Sequence, residues 1–481
     1  TLPLSNLLFE KTQGNPFFVK QFLNSLYQDE LIRYDLGRDK WTWDLHRIED
    51  QNITHNVVDL IVANLEQLSP GTREVVTLSA AIGNQFDLSV LAHVADKSVL
   101  ETAHTLWNAL DVGLIRPIGS LYRFFSNPGS NKIQPDEFKS KTQDWLKAGD
   151  QNFFSKIEYE FVHDRIQQAA YNLIPTEKRN ETHLKIGRLL LKNTPLEQQD
   201  EKLFDIVNHL NLGSSLLTDF SEKTKLARLN LSAGQKAKAS AAYDKAVDYL
   251  MAGISMLGDD CWQNQYDLCL ALHSEAVGAA NLSARFEEID RFADPIMQNT
   301  TDIMDRVCVY GARIAALQAE NNMVDTLKVA REVLRGLGVR FPKKATMAHV
   351  LFSLIWTMIR LRGTKPEQII NLPEMKNDKA LAIIRILTDA TATAARSEPN
   401  LLLLMAFEGV KLTLKHGIIS GTGYWFVGYG MLLIIALDDI ETGYKYGKLT
   451  QSLRDKFGIG SSTGRSLLVL NAFIWHWKHP L

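Results

Sequence analysis

Residues 233–253 read AGQKAKASAAYDKAVDYLMAG, and this stretch decides the architecture. Small residues at Gly234, Ala246 and Gly253 let two helices approach closely, while the larger Tyr243 and Leu250 fill the gaps between them. A helical hairpin that stacks on its neighbours has this requirement, and three or more are needed for a stable superhelix. Similar but poorer units run from Phe286-Glu287-Glu288-Ile289 to Met297, from Met323 to Leu334, and over Asp439-Ile440-Glu441-Thr442-Gly443-Tyr444-Lys445-Tyr446-Gly447. From about Asp205 onward the chain is therefore expected to be helical hairpins. The run Leu401-Leu402-Leu403-Leu404 is read as helix core.

Toward the N-terminus the pattern is more varied. Residues 4–28 read as helix on Leu7, Leu8, Phe18, Phe22, Leu23 and Leu26, interrupted by Gly14-Asn15-Pro16, so a second helix is expected to start with proline in its first turn. Leu31-Ile32-Arg33-Tyr34 and Lys40-Trp41-Thr42-Trp43 flank a polar turn at Gly37-Arg38-Asp39, the signature of a β-hairpin. Helices are expected over Asn56–Leu68, Thr72–Ile82, Leu88–Ala95 and Leu100–Asp111, followed by a strand pair at 114–118 and 121–125. Three helices and a hairpin make a winged-helix pattern. Residues 126–155 interrupt the wing, which resumes as an alternating strand at 157–162. Helices follow over His163–Leu173 and Glu181–Leu191. The expected fold is thus mainly α: two helices and a small hairpin (1–70), a winged helix with an insertion (71–190), and a tetratricopeptide-like α–α superhelix (191–481).

Composition narrows the function. The chain has 481 residues and a net charge of −2 from 53 basic and 55 acidic side chains, so no excess charge draws it to nucleic acid. The helix 100–111 that would read a DNA groove carries Glu101, His104, Asn108 and Asp111 and no Lys or Arg. Three cysteines, Cys261, Cys269 and Cys308, form no disulfide framework and fit a reducing cytoplasm. The twelve histidines are scattered, and even His476 and His479 lack the neighbours of a metal site. No G-x-S-x-G, H-E-x-x-H or H-R-D motif is present, so no catalytic residue is expected. The apolar stretch Ala345–Leu361 falls short of the roughly 20 residues that span a bilayer. It is read as a buried helix, with a membrane-surface helix as the alternative.

Two short motifs carry the remaining chemistry. Gly14-Asn15-Pro16-Phe17-Phe18 sets a rigid ring and free backbone at a helix start, which suits packing on an adenine face. The plainer reading is a helix break closed by a phenylalanine pair. Val162-His163-Asp164 lies where a strand turns into a helix, a place where backbone N–H groups favour an anion and His163 adds a donor. Asp164 suits the first turn electrostatically, and plain capping explains the same residues. A phosphoaccepting histidine lacks the flanking residues it needs here. No G-x-x-x-x-G-K-[ST] phosphate loop occurs anywhere in the chain.

Together these motifs resemble a family. Gly14-Asn15-Pro16 is similar to the Gly-x-Pro element in the lid of signal-transduction ATPases with numerous domains (STAND ATPases of the AAA type). Val162-His163-Asp164 is similar to the Met-His-Asp motif of their winged helix, with Val in place of Met. The resemblance implies that Pro16 packs on adenine, that His163 contacts the β-phosphate of ADP in the closed state, and that Asp164 supports it. Residues 161–171, 81–87, Asn371-Leu372-Pro373-Glu374-Met375 and Asn471-Ala472-Phe473-Ile474 resemble one subgroup, the large bacterial-type multi-sensor hybrid serine/threonine and histidine kinases. The insertion at 126–155 matches nothing in it.

That resemblance implies an internal, cytoplasmic, non-catalytic regulatory segment, in keeping with a chain that starts at Thr1 without Met. It would couple nucleotide state to partner binding and kinase output. It holds no cofactor or metal of its own; ATP or ADP belongs to the parent protein. Its implied partners are an upstream nucleotide-binding core, downstream sensor and kinase domains, and proteins bound by the repeats, with no nucleic acid and no membrane span. The alternatives are the same segment of a STAND-type transcriptional activator, or a stand-alone repeat scaffold.

Overall fold

The computed structural model describes residues 2–12, 14, 16–50, 65–119, 157–458 and 463–479. The expected strand at 121–125, the insertion at 126–155 and most of the helix Asn56–Leu68 lie outside the described residues. The fold is mainly helical, as the periodicity predicts, and divides into two compact units, Thr1–Leu226 and Ala227–Leu481.

The first unit opens with helices α1 (Leu2–Thr12) and α2 (Pro16–Gln28), the hairpin β1 (Ile32–Asp35) and β2 (Lys40–Trp43), and α3 (Leu45–Asp50). Phe22, Leu26, Leu31, Ile32 and Ile48 close a small core among them. Next come α4 (Pro70–Ile82), β3 (Gln85–Asp87), α5 (Leu88–Val94), α6 (Val99–Asp111), β4 (Ile115–Ile118) and β5 (Glu158–Phe161). Side chains cap the three helices: Ser69 accepts from Thr72 N–H, Asp87 from Ser89 and Val90, and Ser98 from Glu101. The strands form an antiparallel sheet in the order β3-β5-β4. Alternation along β5 buries Tyr159 and Phe161 against Leu91, Leu106 and Ile115. On the opposite face Glu160 accepts from Arg116 Nε at 2.6 Å and from Gln85 Nε2 at 3.2 Å, tying all three strands together. The Arg116 hydrogen bond holds the Glu160 carboxyl below its usual range. Helices α7 (Asp164–Asn172), α8 (Thr176–Asn193) and α9 (Leu203–Leu212) complete this unit.

The second unit is built of hairpins. They are α10 (Phe220–Ala239, whose first residues, to Leu226, belong to the first unit) with α11 (Tyr243–Ser255), α12 (Tyr266–Leu282) with α13 (Phe286–Asn299), and α14 (Ile303–Ala319) with α15 (Met323–Gly336). Helix α16 (Met347–Leu361) precedes α17 (Asp378–Ser397), α18 (Pro399–His416), α19 (Thr422–Leu437), α20 (Ile440–Phe457) and α21 (Thr463–Phe473). The close approach expected at Gly234 is present: a Cβ there would lie 2.5 Å from Leu250 Cγ, and Leu250 is fully buried. Leu401 and Leu404 are buried on α18, as read from the leucine run.

Three of the hairpins turn in the same way. Ala241, Ala284 and Asn321 have φ of 59°, 58° and 56°. The next residue donates its N–H five positions back, Ala242 to Ala237 O, Arg285 to Ala280 O and Asn322 to Leu317 O, at 2.8–2.9 Å. Each is a Schellman turn whose left-handed position holds a side chain instead of glycine. Ala284→Gly should therefore stabilise the protein by about 1 kcal/mol, because alanine pays a steric cost in this region that glycine avoids. A higher urea midpoint checks this.

Helix α16 departs from expectation. Only the stripe Val350, Leu354, Thr357 and Leu361 is buried, against α18. The rest of its apolar surface is exposed, Phe352 at 65% and Ile359 at 60%. A fifteen-residue run of mostly apolar side chains states that some face is covered, not that every face is. Among the described residues no helix is long and apolar enough to cross a membrane.

Candidate functional site

Gly14 has a φ of 74°, and a Cβ there would meet the Phe9 ring at 3.1 Å. Thr12 Oγ1 donates to Leu8 O at 2.6 Å and accepts from Gly14 N–H at 3.3 Å, which ends α1 and lets the chain reverse. Pro16 then occupies the first position of α2, where its missing N–H costs nothing, and it is exposed. Asn15 lies outside the described residues.

His163 follows the end of β5 and is itself the N-cap of α7. Its backbone is extended (φ −155°, ψ 141°), and its Nδ1 accepts from Arg165 N–H at 3.1 Å. A ring nitrogen that accepts carries no proton, so the neutral imidazole holds its proton on Nε2. The main chain thus sets the tautomer that makes Nε2 a donor. Asp164 is exposed in the first turn of α7, where a negative charge faces the positive end of the helix dipole. Gln167, one turn on, donates from Nε2 to Ala80 O at 3.0 Å and fixes α7 to α4.

One cleft of about 450 Å³ is lined by Val162 and by Lys20 and Asn24, which follow the first motif along α2; Pro16, His163 and Asp164 are not among its lining residues. Lys20 and Asn24 of α2 line one side, and Trp107, Arg116, Pro117 and Val162 line the other. Pro16, Lys20 and Asn24 are spaced by four and share a helix face, and Val162 immediately precedes His163. The sequence reading named Pro16, His163 and Asp164 but not the cleft residues Lys20, Trp107 and Arg116. Only Lys20, one turn beyond Pro16, carried a legible signal.

Behind α7 runs a buried chain of hydrogen bonds. Tyr171 Oη lies 2.9 Å from His183 Nε2, His183 Nδ1 lies 2.9 Å from His209 Nδ1, and His209 Nε2 lies 3.2 Å from Ile82 O. A carbonyl only accepts, so the His209 proton sits on Nε2 and its Nδ1 is bare. His183 must then donate from Nδ1, which leaves its Nε2 to accept from the tyrosine hydroxyl. Every member is satisfied with both rings neutral. Burial, then the neighbouring His209 and Arg179, bring the His183 pKa down to about 4, and burial also lowers that of His209.

Elsewhere, Cys261 Sγ and Cys269 Sγ lie 2.6 Å apart and are buried, a proximity that their eight-residue spacing did not announce. Burial pushes the Cys269 thiol up, so it is not a ready nucleophile. His479 Nε2 is 2.7 Å from Tyr444 Oη, and its ring stacks on Trp475. Among the described residues no group of three or more His, Cys, Asp or Glu side chains is placed to hold a metal ion.

Comparison with known proteins adds one relative. Hybrid signal transduction histidine kinase G of Dictyostelium discoideum is 26% identical over 528 residues, which takes in all of this chain. The chain spans 15% of that protein's length. No family model matches the chain, and no solved structure does.

Proposed function

We propose that this chain is the segment through which a large signalling kinase reads the nucleotide state of an adjoining ATPase core. In this reading residues 1–70 are the lid, 71–190 the winged helix and 191–481 a tetratricopeptide-like relay. The observation that carries it is the cleft that the Pro16 face of α2 and the residue before His163 both border. The whole-length likeness to a hybrid histidine kinase supports a kinase parent. The helices and three-stranded sheet of 70–161 support the winged-helix reading, and the repeated Schellman turns support the repeat reading.

The residues present fit one flank of a nucleotide. They offer an exposed proline ring, an Nε2–H donor at a helix start and a lysine in the shared cleft, but no phosphate cradle. A nucleotide bound to the core would supply the phosphate charge that distinguishes the states. Pro16 would offer its ring to the base and His163 its Nε2–H to a phosphate oxygen. Because Nδ1 accepts in the α7 cap, the main chain sets the orientation of the imidazole. Helix α7 is bonded to α4 through Gln167 and to α8 and α9 through Tyr171 and the histidine pair, so a shift at His163 is passed on mechanically. Loss of the contact would favour the open state, a population shift.

His163→Ser in the full-length protein tests this, because serine keeps the cap and removes the Nε2 donor. Retention of ADP should fall about tenfold, the cost of one charge-assisted hydrogen bond, and basal kinase output should rise. Retention and output both equal to wild type would overturn the proposal.

A further inference from the structure

The uncovered face of α16 is the least explained surface of the molecule. Leu351, Phe352, Ile355, Trp356, Met358 and Ile359 are all exposed on one fifteen-residue helix. The segment around it is strongly basic. Between Glu332 and Glu367 the chain holds Arg335, Arg340, Lys343, Lys344, Arg360, Arg362 and Lys365, and no acidic residue. All seven cations are exposed, in a chain whose net charge is −2. Arg340, Lys343 and Lys344 precede the apolar helix, Arg360 lies in its last turn, and Arg362 and Lys365 follow it. On the neighbouring helix Glu408 is engaged by Lys411 at 2.9 Å. The Arg360 guanidinium lies 5.6 Å over the Trp356 ring, so an amphipathic indole and a long-stemmed cation sit together at the edge of the apolar face.

We infer that α16 lies flat in the surface of an anionic bilayer. Its apolar side chains would enter the acyl boundary, and the flanking lysines and arginines would meet the headgroups. The helix is too short to cross, and it has the composition of an interfacial anchor, a large apolar face bounded by cations. An apolar protein groove would account for the six exposed side chains but not for seven cations in one stretch of sequence with no acidic residue among them, where the nearby Glu408 is already paired with Lys411. The inference is independent of the nucleotide reading and holds whether or not that reading survives.

Flotation of the full 481-residue chain with vesicles tests it. Binding should be strong to phosphatidylcholine vesicles containing phosphatidylserine, weak to phosphatidylcholine alone, and reduced by salt. Lys343→Gln with Lys344→Gln should weaken binding roughly thirtyfold. Ile355→Ser with Ile359→Ser should abolish it while leaving the thermal unfolding midpoint in place, because both positions are exposed. Failure to float with anionic vesicles would overturn the inference, as would flotation unaffected by either double variant. A chain that ignores vesicles but self-associates until Ile355 and Ile359 are changed would assign the face to a second copy instead, which also overturns it.

Discussion

Trp425→Ala is expected to lower the unfolding free energy of the 227–481 unit by about 3–5 kcal/mol, the cost of truncating a large aromatic side chain in a closed core. Trp425 is 1% exposed on α19 and belongs to the core cluster that includes Phe407, Val410, Phe426 and Tyr429. The indole lies against Gly409 of α18, so closely that a Cβ at Gly409 would stand 2.5 Å from Trp425 Cγ. A methyl group there has nowhere to go, and Gly409→Ala alone should cost about 1–3 kcal/mol by overpacking. The two sites share one space, so their effects should not add. In the double variant Gly409→Ala with Trp425→Leu, the smaller side chain vacates room for the new methyl. The combined cost should fall below the sum of the single changes by more than about 0.5 kcal/mol. Urea unfolding of the wild type, Gly409→Ala, Trp425→Leu and the double variant measures this, and strict additivity would mean that the tryptophan does not seat in the space the glycine leaves.

The second large effect is a loss of stability in acid. In the unfolded chain His183 titrates at its ordinary 6.5, and in the fold at about 4. Below 6.5 the unfolded state therefore binds protons that the folded state refuses, so acid favours unfolding. The stabilisation from the neutral pair is complete above about 6.5 and is lost progressively as pH falls toward 4. The loss is on the order of 2 kcal/mol after allowance for solvent screening. A proton added to His209 would go to its bare Nδ1 and put two hydrogens into the 2.9 Å Nδ1–Nδ1 contact. Replacing both rings, His183→Leu with His209→Leu, should flatten the dependence of stability on pH across this window. Urea unfolding at a series of pH values compares the two slopes, and equal slopes would remove the pair as the cause.

The sequence made the helical hairpins legible because each is a local pattern. Gly234, Ala246 and Leu250 state which faces meet, and Pro16 states where a helix begins. It was less informative about anything that depends on what lies opposite. Gln85-Phe86-Asp87 is too short to show alternation, so β3 went unread until β5 was seen beside it. The apolar residues of 345–361 gave the helix but not its coverage, since the packing of α18 on one side decides which of them are buried. His183 and His209 are 26 residues apart, and nothing local marks them as partners. At the candidate site, Pro16, His163 and Asp164 were found through motifs, whereas Arg116 reaches the cleft only through the pairing of β4 with β5. The His163 cap was anticipated as local hydrogen bonding, and the geometry adds which nitrogen is engaged.

The order of strands also has a consequence for the ribosome. In the sheet β3-β5-β4 the middle strand is the last one made. Gln85–Asp87 and Ile115–Ile118 leave the exit tunnel as two edges with a vacant lane between them, and neither pairs with the other. At about 5–20 residues per second, the lane stays open for a few seconds until Glu158–Phe161 arrives. Nascent chains stalled before that point should therefore lack this sheet however many of the preceding helices have formed. His163, two residues past the closing strand, takes up its post almost as soon as the gap is filled.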